Sequence, residues 1–248
     1  KSFIVVQNVI SMILLITTFV IFLQVTHLQQ TDIGFNRYQV LLFPMTNNML
    51  KSKEKIAHFL RDRTEVQSFT FCDNPPSYEK VWGGTFQFDN RSEWEKWPAR
   101  YAIGDSTYIK TFHIKLLAGR NFNDNPQNPE FLVNQQMATT LGFKNPNDIL
   151  GRNLNAGGLN EEHLGKIVGV VADFSTNSLN EPISPTVIGY NESRLKNLAV
   201  KFKGNNQDIL LKTLALQWKN WYPDEVFQYK FYDQQIAEGA VREPRASR

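Results

Sequence analysis

Residues 3–23, FIVVQNVISMILLITTFVIFL, form an unbroken apolar run without a charged side chain. As an α-helix rising about 1.5 Å per residue, this run would cross the ~30 Å hydrocarbon core of a bilayer. A buried core helix is rarely apolar on every face over such a length. A secretory signal peptide has a shorter apolar region and a cleavage site with small residues, but residues 24–28 read QVTHL. We therefore predict one membrane-spanning helix.

The flanks of this run predict the orientation of the helix. Lys1 precedes it, whereas Gln, His and Asp32 follow it. Because Lys and Arg are enriched on the cytoplasmic side of membrane helices, we expect the amino end in the cytoplasm and the rest of the chain outside. The helix should continue as a short stalk to Gln30 and end near Gly34. Since the chain begins with Lys rather than Met, we expect it to be a piece of a longer protein, with a charged cytoplasmic segment before it.

The rest of the chain has the composition of a globular body. Hydrophobic residues make up 42% of the chain, and its 18 Phe, 8 Tyr and 5 Trp argue against disorder. The net charge is only +3 and the basic residues are scattered, which argues against nucleic-acid binding. The single cysteine, Cys72, excludes an internal disulfide and favours the outer face of a bacterial inner membrane. We expect Cys72 to be a small buried residue at a strand end.

Two strand–helix–strand units are predicted, one near each end of the body. The first has strands at 39–43 and 66–72 around a helix from Asn47 or Asn48 to about Arg63. The second has strands at 198–202 and 226–231 around a helix at 207–221, with Ile209, Leu210, Leu214, Trp218 and Trp221 facing inward. Together the two units can form one split ferredoxin-like sheet, with a second α+β lobe inserted between them.

The region between these units is predicted to contain short elements. The aromatic stretch from Trp82 to Trp97 indicates two short strands packed on a lobe, although a Trp cluster could also face lipid headgroups or a partner. Beyond it the pattern predicts strands at 100–103, 131–133, 166–172 and 186–189, a helix around Tyr108 that is capped by Asp105, and a helix at 135–141 that ends at Gly142.

The histidines do not form a metal site. His27, His58, His113 and His163 lie far apart, without the i,i+4 pair of a zinc-binding helix. The densest ionisable cluster, residues 161–163 (Glu-Glu-His), lies among Asn and Gly residues and is predicted to be a solvated loop.

Catalytic motifs are also lacking. Asp173 follows a buried strand, where an active-site carboxylate could lie, but capping of the following turn is the favoured interpretation. Gly165 and Lys166 lack the upstream glycine of a phosphate loop, and no G-x-S-x-G motif occurs. We predict no catalytic, cofactor-binding or metal-ligating residue, no cofactor, and no enzymatic activity.

Three blocks of the middle region resemble a known family. They are DSTYIKTFHIKLLAGRNF (105–122), FLVNQQMATTLGFKNPNDILGRNL (131–154) and KIVGVVADFSTNSLNEPISPTV (166–187). In order and spacing they are similar to the MacB-like extracytoplasmic domain of MacB/FtsX-type ABC transporter permeases, in the form common among Bacteroidetes. The apolar helix and the Ile33-Gly34-Phe35 exit also fit that family. Gln135 stands where an acidic residue is common, and residues 237–248 depart from the family, which continues towards a second membrane helix.

The resemblance implies an α+β architecture in five segments. These are a transmembrane and stalk helix (1–36), a porter-like lobe in two halves (37–97 and 193–236), an inserted, Sabre-like lobe (98–192) and an irregular tail (237–248). Within the inserted lobe, Gly119 and Gly151 would hold turns and Asp173 would be a cap.

The resemblance also implies a function and partners. The chain would be the periplasmic part of an inner-membrane permease, in which a cytoplasmic ABC ATPase moves the stalks and the outer lobes serve efflux or mechanotransmission. The implied partners are membrane lipid, the ATPase, a second permease copy and a periplasmic or outer-membrane protein.

Two alternatives remain open. One is a ligand-sensing outer domain of a membrane receptor, which would require a pocket with convergent polar groups. The other is a membrane-anchored enzyme, which the absence of catalytic motifs disfavours. The membrane run itself contains Gln7, Asn8, Ser11, Thr17 and Thr18, which a helix packed against other helices can pair. We therefore interpret this helix as a driving element rather than a simple anchor.

Overall fold

The computed structural model describes residues 2–30, 34–77, 82–89, 91–157, 159, 164–176 and 181–242. The chain falls into two compact units, Lys1–Ile33 and Gly34–Arg248, and the second is called the body below. The first unit contains helix α1 (Ser2–Gln30), which is long and apolar enough to cross a membrane. The side chains of residues 3–21 are exposed on all faces of this helix. The predicted helix is thus present through Gln30, and residues 31–33, which precede its expected end near Gly34, lie outside the described residues.

The body consists of twelve strands and six α-helices within the described residues. In chain order they are β1 (Val40–Pro44), α2 (Asn47–Lys51), α3 (Lys53–Arg61), β2 (Val66–Cys72), β3 (Gly83–Gly84), β4 (Phe86–Phe88), β5 (Ala99–Ile103), α4 (Tyr108–Thr111), β6 (Leu116–Gly119), β7 (Glu130–Asn134), α5 (Gln135–Thr140), β8 (Asn153–Ala156), β9 (Gly165–Val171), β10 (Thr186–Gly189), β11 (Asn197–Phe202), α6 (Gln207–Trp221), β12 (Lys230–Phe231) and α7 (Tyr232–Arg242), with 3-10 turns at Pro146–Ile149 and Glu192–Arg194.

The two ends of the body build one small antiparallel sheet of four strands, in the order β12-β1-β11-β2. Each strand–helix–strand unit contributes one central strand and one edge strand. Helices α3 and α6 pack on one face, where Trp218 lies against Phe43 with ring centroids 6.1 Å apart and Phe59 contacts Trp221. The opposite face is covered by α4, which packs on β2 and β11, and by α7, which packs on β1.

The chain between these units builds a larger sheet in the order β3-β5-β10-β7-β9-β8-β4, with β6 paired to β9. Strand β9 lies in the interior of this sheet and is mostly buried, as its apolar sequence predicts. Strands β3 and β4 are the two short strands predicted in the aromatic stretch. They pair with β5 and β8, so residues 83–88 belong to the larger sheet and not to the lobe at 37–97 to which we assigned them.

Two helix predictions need correction. The helix predicted from Asn47 to Arg63 is interrupted at Ser52, whose φ of −105° and ψ of 18° close α2 and precede α3. Residues 237–242 are helical rather than irregular, because α7 continues from Tyr232 with Asp233 in its first turn and Ile236 buried. The remainder of the predicted tail, 243–248, lies outside the described residues.

Two predictions for the second strand–helix–strand unit, at residues 198–231, also need correction. Ile209 was expected inward, but 54% of it is exposed, because the buried stripe of α6 runs through Leu210, Leu214 and Trp218. The strand predicted at 226–231 is reduced to β12, because Phe227 packs its ring on Phe43 without a neighbouring strand to pair its backbone.

Asn134 shows how the larger sheet and α5 are joined. Its fully buried side chain caps α5 by accepting from Met137 N (3.0 Å), accepts from Thr186 N in β10 (2.9 Å) and donates to Ser184 O (3.0 Å). One amide thus satisfies three main-chain groups that would otherwise be unpaired in the core.

We expect Asn134→Ala to lower the free energy of unfolding by about 3 kcal/mol, since a cap is lost and buried main-chain groups lose partners. The matched control is Asn145→Ala, an exposed cap that accepts from Asn147 N, and its cost should stay below about 1 kcal/mol. Urea unfolding of the full chain in detergent, followed by the fluorescence of the five Trp residues, measures both. Equal losses in the two variants would contradict this role for Asn134.

Candidate functional site

The body begins at Gly34, four positions after the last residue of α1 in the sequence. Gly34 has a φ of +76°, which residues with a Cβ rarely adopt. A Cβ built there would lie 2.2 Å from Asp173 O and 2.7 Å from Phe174 Cα. Two residues later, Asn36 N donates to Phe112 O at 2.7 Å. The first residues of the body, 34–36, which we call the incoming chain, are therefore packed closely against residues 173–174 of the larger lobe and against the end of α4.

The incoming chain contacts α7, the last helix of the body, at a cluster of three buried rings. We call this cluster the aromatic junction; it consists of Phe35, Phe112 and Tyr232. The Tyr232 ring lies 6.0 Å from that of Phe35 and 5.7 Å from that of Phe112. The Tyr232 hydroxyl donates to Pro76 O. Burial raises the pKa of Tyr232, so this hydroxyl keeps its proton and remains a donor. Both ends of the body thus converge on one packed contact.

Asp173 and Phe174 support this junction. Phe174 is fully buried beside Gly34. Asp173 Oδ1 accepts from Gln136 N at 2.7 Å, so the carboxylate lies at the first turn of α5. Asp173 is therefore a cap, as the resemblance implied, but it caps the preceding helix α5 rather than the turn that follows it.

A second connection joins the two sheets through Asp105. Its carboxylate accepts from Thr70 Oγ1 (2.6 Å) and Phe71 N (2.9 Å) in β2, and from Thr107 N (3.1 Å) and Thr107 Oγ1 (2.6 Å) at the start of α4. Beside it, Cys72 and Gly104 form an antiparallel bridge. Asp105 was predicted to cap α4, but the N-cap residue is Thr107; Asp105 instead accepts hydrogen bonds from Thr107 and holds the edge of β2.

A cleft of about 580 Å³ lies next to Asp105, between α3, the edge of β2 and the 105–110 segment. Lys53 lines this cleft, and its amino group donates to Tyr190 Oη (2.8 Å) and Glu192 Oε1 (2.5 Å). Asp124 lies nearby and accepts from Ser106 N and Ser106 Oγ. Partial burial raises the pKa of Asp124.

The residues considered as chemical candidates are not brought together. His58 and His113 are exposed on different segments, His27 lies in α1, and residues 161–163 are outside the described part of the chain. Lys166 is exposed on β9. Among the described residues, no group of three or more His, Cys, Asp or Glu could hold a metal ion.

Other predicted residues occupy the expected places. Cys72 is fully buried at the end of β2, and burial raises the pKa of its thiol, which keeps it unreactive. Gly119, Gly142 and Gly151 all have positive φ, in agreement with their predicted turn and capping positions. The sequence reasoning missed the aromatic junction and the cleft, since both are built from residues that are distant along the chain.

We expect Gly34→Ala to destabilise the body by about 3 kcal/mol, because it adds a steric clash to the strain of a positive φ. Gly204→Ala is the matched control: Gly204 has a φ of +56° but nothing within 4 Å of an added Cβ. That variant should cost only about 1 kcal/mol. The same urea unfolding measures both, and losses of equal size would show that the contact with Asp173 and Phe174 does not constrain the incoming chain.

No protein-family profile and no curated protein sequence matches this chain. The structure resembles the periplasmic region of MacB from Actinobacillus actinomycetemcomitans, with a TM-score of 0.56 at 14% identity over 88% of this chain and 99% of that chain. It also resembles the extracellular domain of the noncanonic ABC-type transporter YknZ from Gram-positive bacteria, with a TM-score of 0.50 at 15% identity over 77% and 97% of the two chains. The resemblance predicted from residues 105–187 is thus confirmed for the fold, and the body has the fold of a MacB-like periplasmic domain.

Proposed function

We propose that this chain is the extracytoplasmic part of an ABC transporter permease subunit, held in the bacterial inner membrane by α1. The observation that carries the proposal is the MacB-like fold, which extends over 99% of the MacB periplasmic region. The long apolar helix in front of the body supports it. The three sequence blocks, in family order and spacing, provide an independent line of support.

In this proposal the small sheet is the porter-like lobe. Its strand order and antiparallel pairing are those expected for a split ferredoxin-like fold, made from the two ends of the body. The larger sheet is the inserted, Sabre-like lobe. We place the body in the periplasm, with α1 in contact with lipid, a second permease copy beside it and a periplasmic or outer-membrane protein as a further partner.

The mechanism we propose is the transfer of movement and not a chemical reaction. A cytoplasmic ATPase hydrolyses ATP and shifts α1, and the tightly held Gly34 passes this shift to the aromatic junction. Because Phe112 ends α4 and α4 begins next to Asp105, the same shift reaches the connection between the two sheets. The outer lobes would then use the movement for efflux or transmit it to a partner.

A direct test is capture of the full-length protein from its native membranes in a mild detergent. We expect an ABC ATPase to co-purify and the complex to hydrolyse ATP, whereas the chain separated from that subunit hydrolyses none. Capture of a histidine kinase in place of an ATPase would contradict the proposal. ATP hydrolysis by the separated chain would contradict it as well.

A second test concerns the packing of α1 against other helices. Thr17 and Thr18 already donate their hydroxyls to Ile13 O and Leu14 O at 2.8 Å, whereas Asn8 and Ser11 have no such bond among the described residues. Replacing both Asn8 and Ser11 with Leu should therefore weaken subunit association by about 1 kcal/mol, the usual size of an interhelical hydrogen bond.

Energy transfer between labelled full-length subunits in nanodiscs or liposomes measures this association. The matched control replaces Thr17 and Thr18 with Val, which should leave association unchanged because their hydroxyls bond within the helix. An unchanged dimer fraction in the Asn8→Leu/Ser11→Leu variant would argue against α1 as a packed driving element.

The cleft supports one other candidate function, a ligand-sensing outer domain. It has the volume of a small-molecule site, and polar groups from α3, β2 and the 105–110 segment converge on it. The capture experiment separates the two candidates, because a sensor would be joined to a signalling module instead of an ATPase.

A further inference from the structure

Lys201, in the central strand β11 of the small sheet, is a buried cation without a counter-charge. Only 2% of the residue is exposed, and its Nζ is shielded from solvent and forms no hydrogen bond within the described residues. None of the ion pairs in the described part of the chain includes it. Burial lowers the pKa of Lys201, because an unpaired ammonium is costly away from water.

The register of the small sheet shows where this side chain points. Lys201 lies directly opposite Val40 in β1 and Ser68 in β2, so the three side chains lie on the same face of the sheet. Phe43, three positions after Val40, points to the other face, where it contacts Trp218 of α6. Lys201 and Ser68 therefore lie on the face that α4 covers by packing on β2 and β11.

Two hydroxyl groups in the same layer also lack partners. Ser68 Oγ and Thr111 Oγ1 are both shielded from solvent and form no hydrogen bond within the described residues. Thr111 is fully buried in α4, one turn after Thr107, whose Oγ1 donates to Phe69 O in β2. Because residues four positions apart share one face of a helix, Thr111 also faces the sheet. One ammonium and two hydroxyls thus lie between α4 and the sheet without bonding to one another.

These three groups share one need, which is an acceptor. An ammonium can only donate, and both hydroxyls can donate as well. Asp105 bonds to Thr70, the next residue of β2 on this face, but it forms no ion pair with Lys201 in the described structure. A water molecule could pair with the hydroxyls, but it would leave the charge of the ammonium uncompensated. The groups therefore fit an anion.

The size and charge of that anion follow from the surroundings. A single ammonium compensates one negative charge, so a divalent anion such as sulfate would bring an unpaired charge into the core. The space between a helix and the sheet on which it packs suits an ion of few atoms. Ser68 also lines the cleft described above, which provides a path from solvent.

We propose that a chloride ion binds between Lys201, Ser68 and Thr111. The ion accepts hydrogen bonds from the ammonium and the two hydroxyls and supplies the missing counter-charge. Because Thr111 is followed directly by Phe112 of the aromatic junction, an ion at this site would hold that part of the junction on the small sheet. The site does not depend on the proposed coupling to an ATPase.

The test uses the full chain in nanodiscs and measures the width of the chloride resonance by NMR, which increases when chloride exchanges with a site on a protein. We expect a saturable increase that bromide removes by competition, whereas sulfate at the same ionic strength leaves it in place. Lys201→Met should abolish the increase. This variant should unfold in urea at no lower concentration than the parent in chloride-free buffer, because an apolar residue replaces an unpaired charge.

The matched control is Lys203→Met, at an exposed position directly after β11, and it should leave the chloride signal unchanged. Ser68→Ala combined with Thr111→Val tests the hydroxyls. This double variant should raise the chloride concentration at half-saturation at least about tenfold, since a single hydrogen bond to an ion is worth about that factor.

Four results would overturn the proposal. They are the absence of a saturable increase in the parent chain, an equal increase in Lys201→Met and Lys203→Met, competition by sulfate as strong as that by bromide, and unchanged chloride affinity in the double variant. The first result would mean that Lys201 is neutral or is paired with water alone.

Discussion

The carboxylate of Asp105 fixes the relation between the two sheets. It accepts hydrogen bonds from Thr70 and Phe71 in the small sheet and from Thr107 at the start of α4. Hydrogen bonds to an ionised acceptor are stronger than those between neutral groups, and loss of this one would leave several donors unpaired. The position of α4, and with it Phe112 of the aromatic junction, follows from this connection. The cleft beside β2 has its shape for the same reason.

Much of the fold could be predicted from local sequence pattern. The helix predicted at 207–221 has the bounds of α6, and the apolar run predicted as a strand at 166–172 forms the mostly buried strand β9 (Gly165–Val171). In both segments the spacing of apolar residues in the sequence matches the side chains that are buried. Prediction failed where tertiary contacts override the pattern. The alternation at 226–229 resembles a strand, but the segment has no strand to pair with and its rings pack on Phe43. The break at Ser52 could not be predicted from the sequence, because no helix-breaking residue such as Gly or Pro lies there.

The candidate site was much less predictable. Gly34, Asp105 and Asp173 were each singled out, but only as the end of a helix or as caps. Their partners lie far away in sequence: Asp105 bonds to Thr70, and Gly34 contacts the backbone at 173–174. Periodicity carries no information about such pairs, and a single sequence has no covariation from which to find them. The cleft has the same difficulty, because its walls come from α3, β2 and the segment before α4.

The strand order of the small sheet has a consequence for how the body folds. The central pair joins Val40 to Lys201, and β2 also pairs with β11, so both early strands depend on a strand that comes much later. Closing such a long loop must precede the gain from pairing, which makes sheets of this kind slow to form. In a chain that emerges from its amino end, the apolar strand β1 remains without its neighbours until the entire larger sheet has emerged. The larger sheet, whose strands all lie between residues 83 and 189, can pair its strands before the small sheet closes around its two ends.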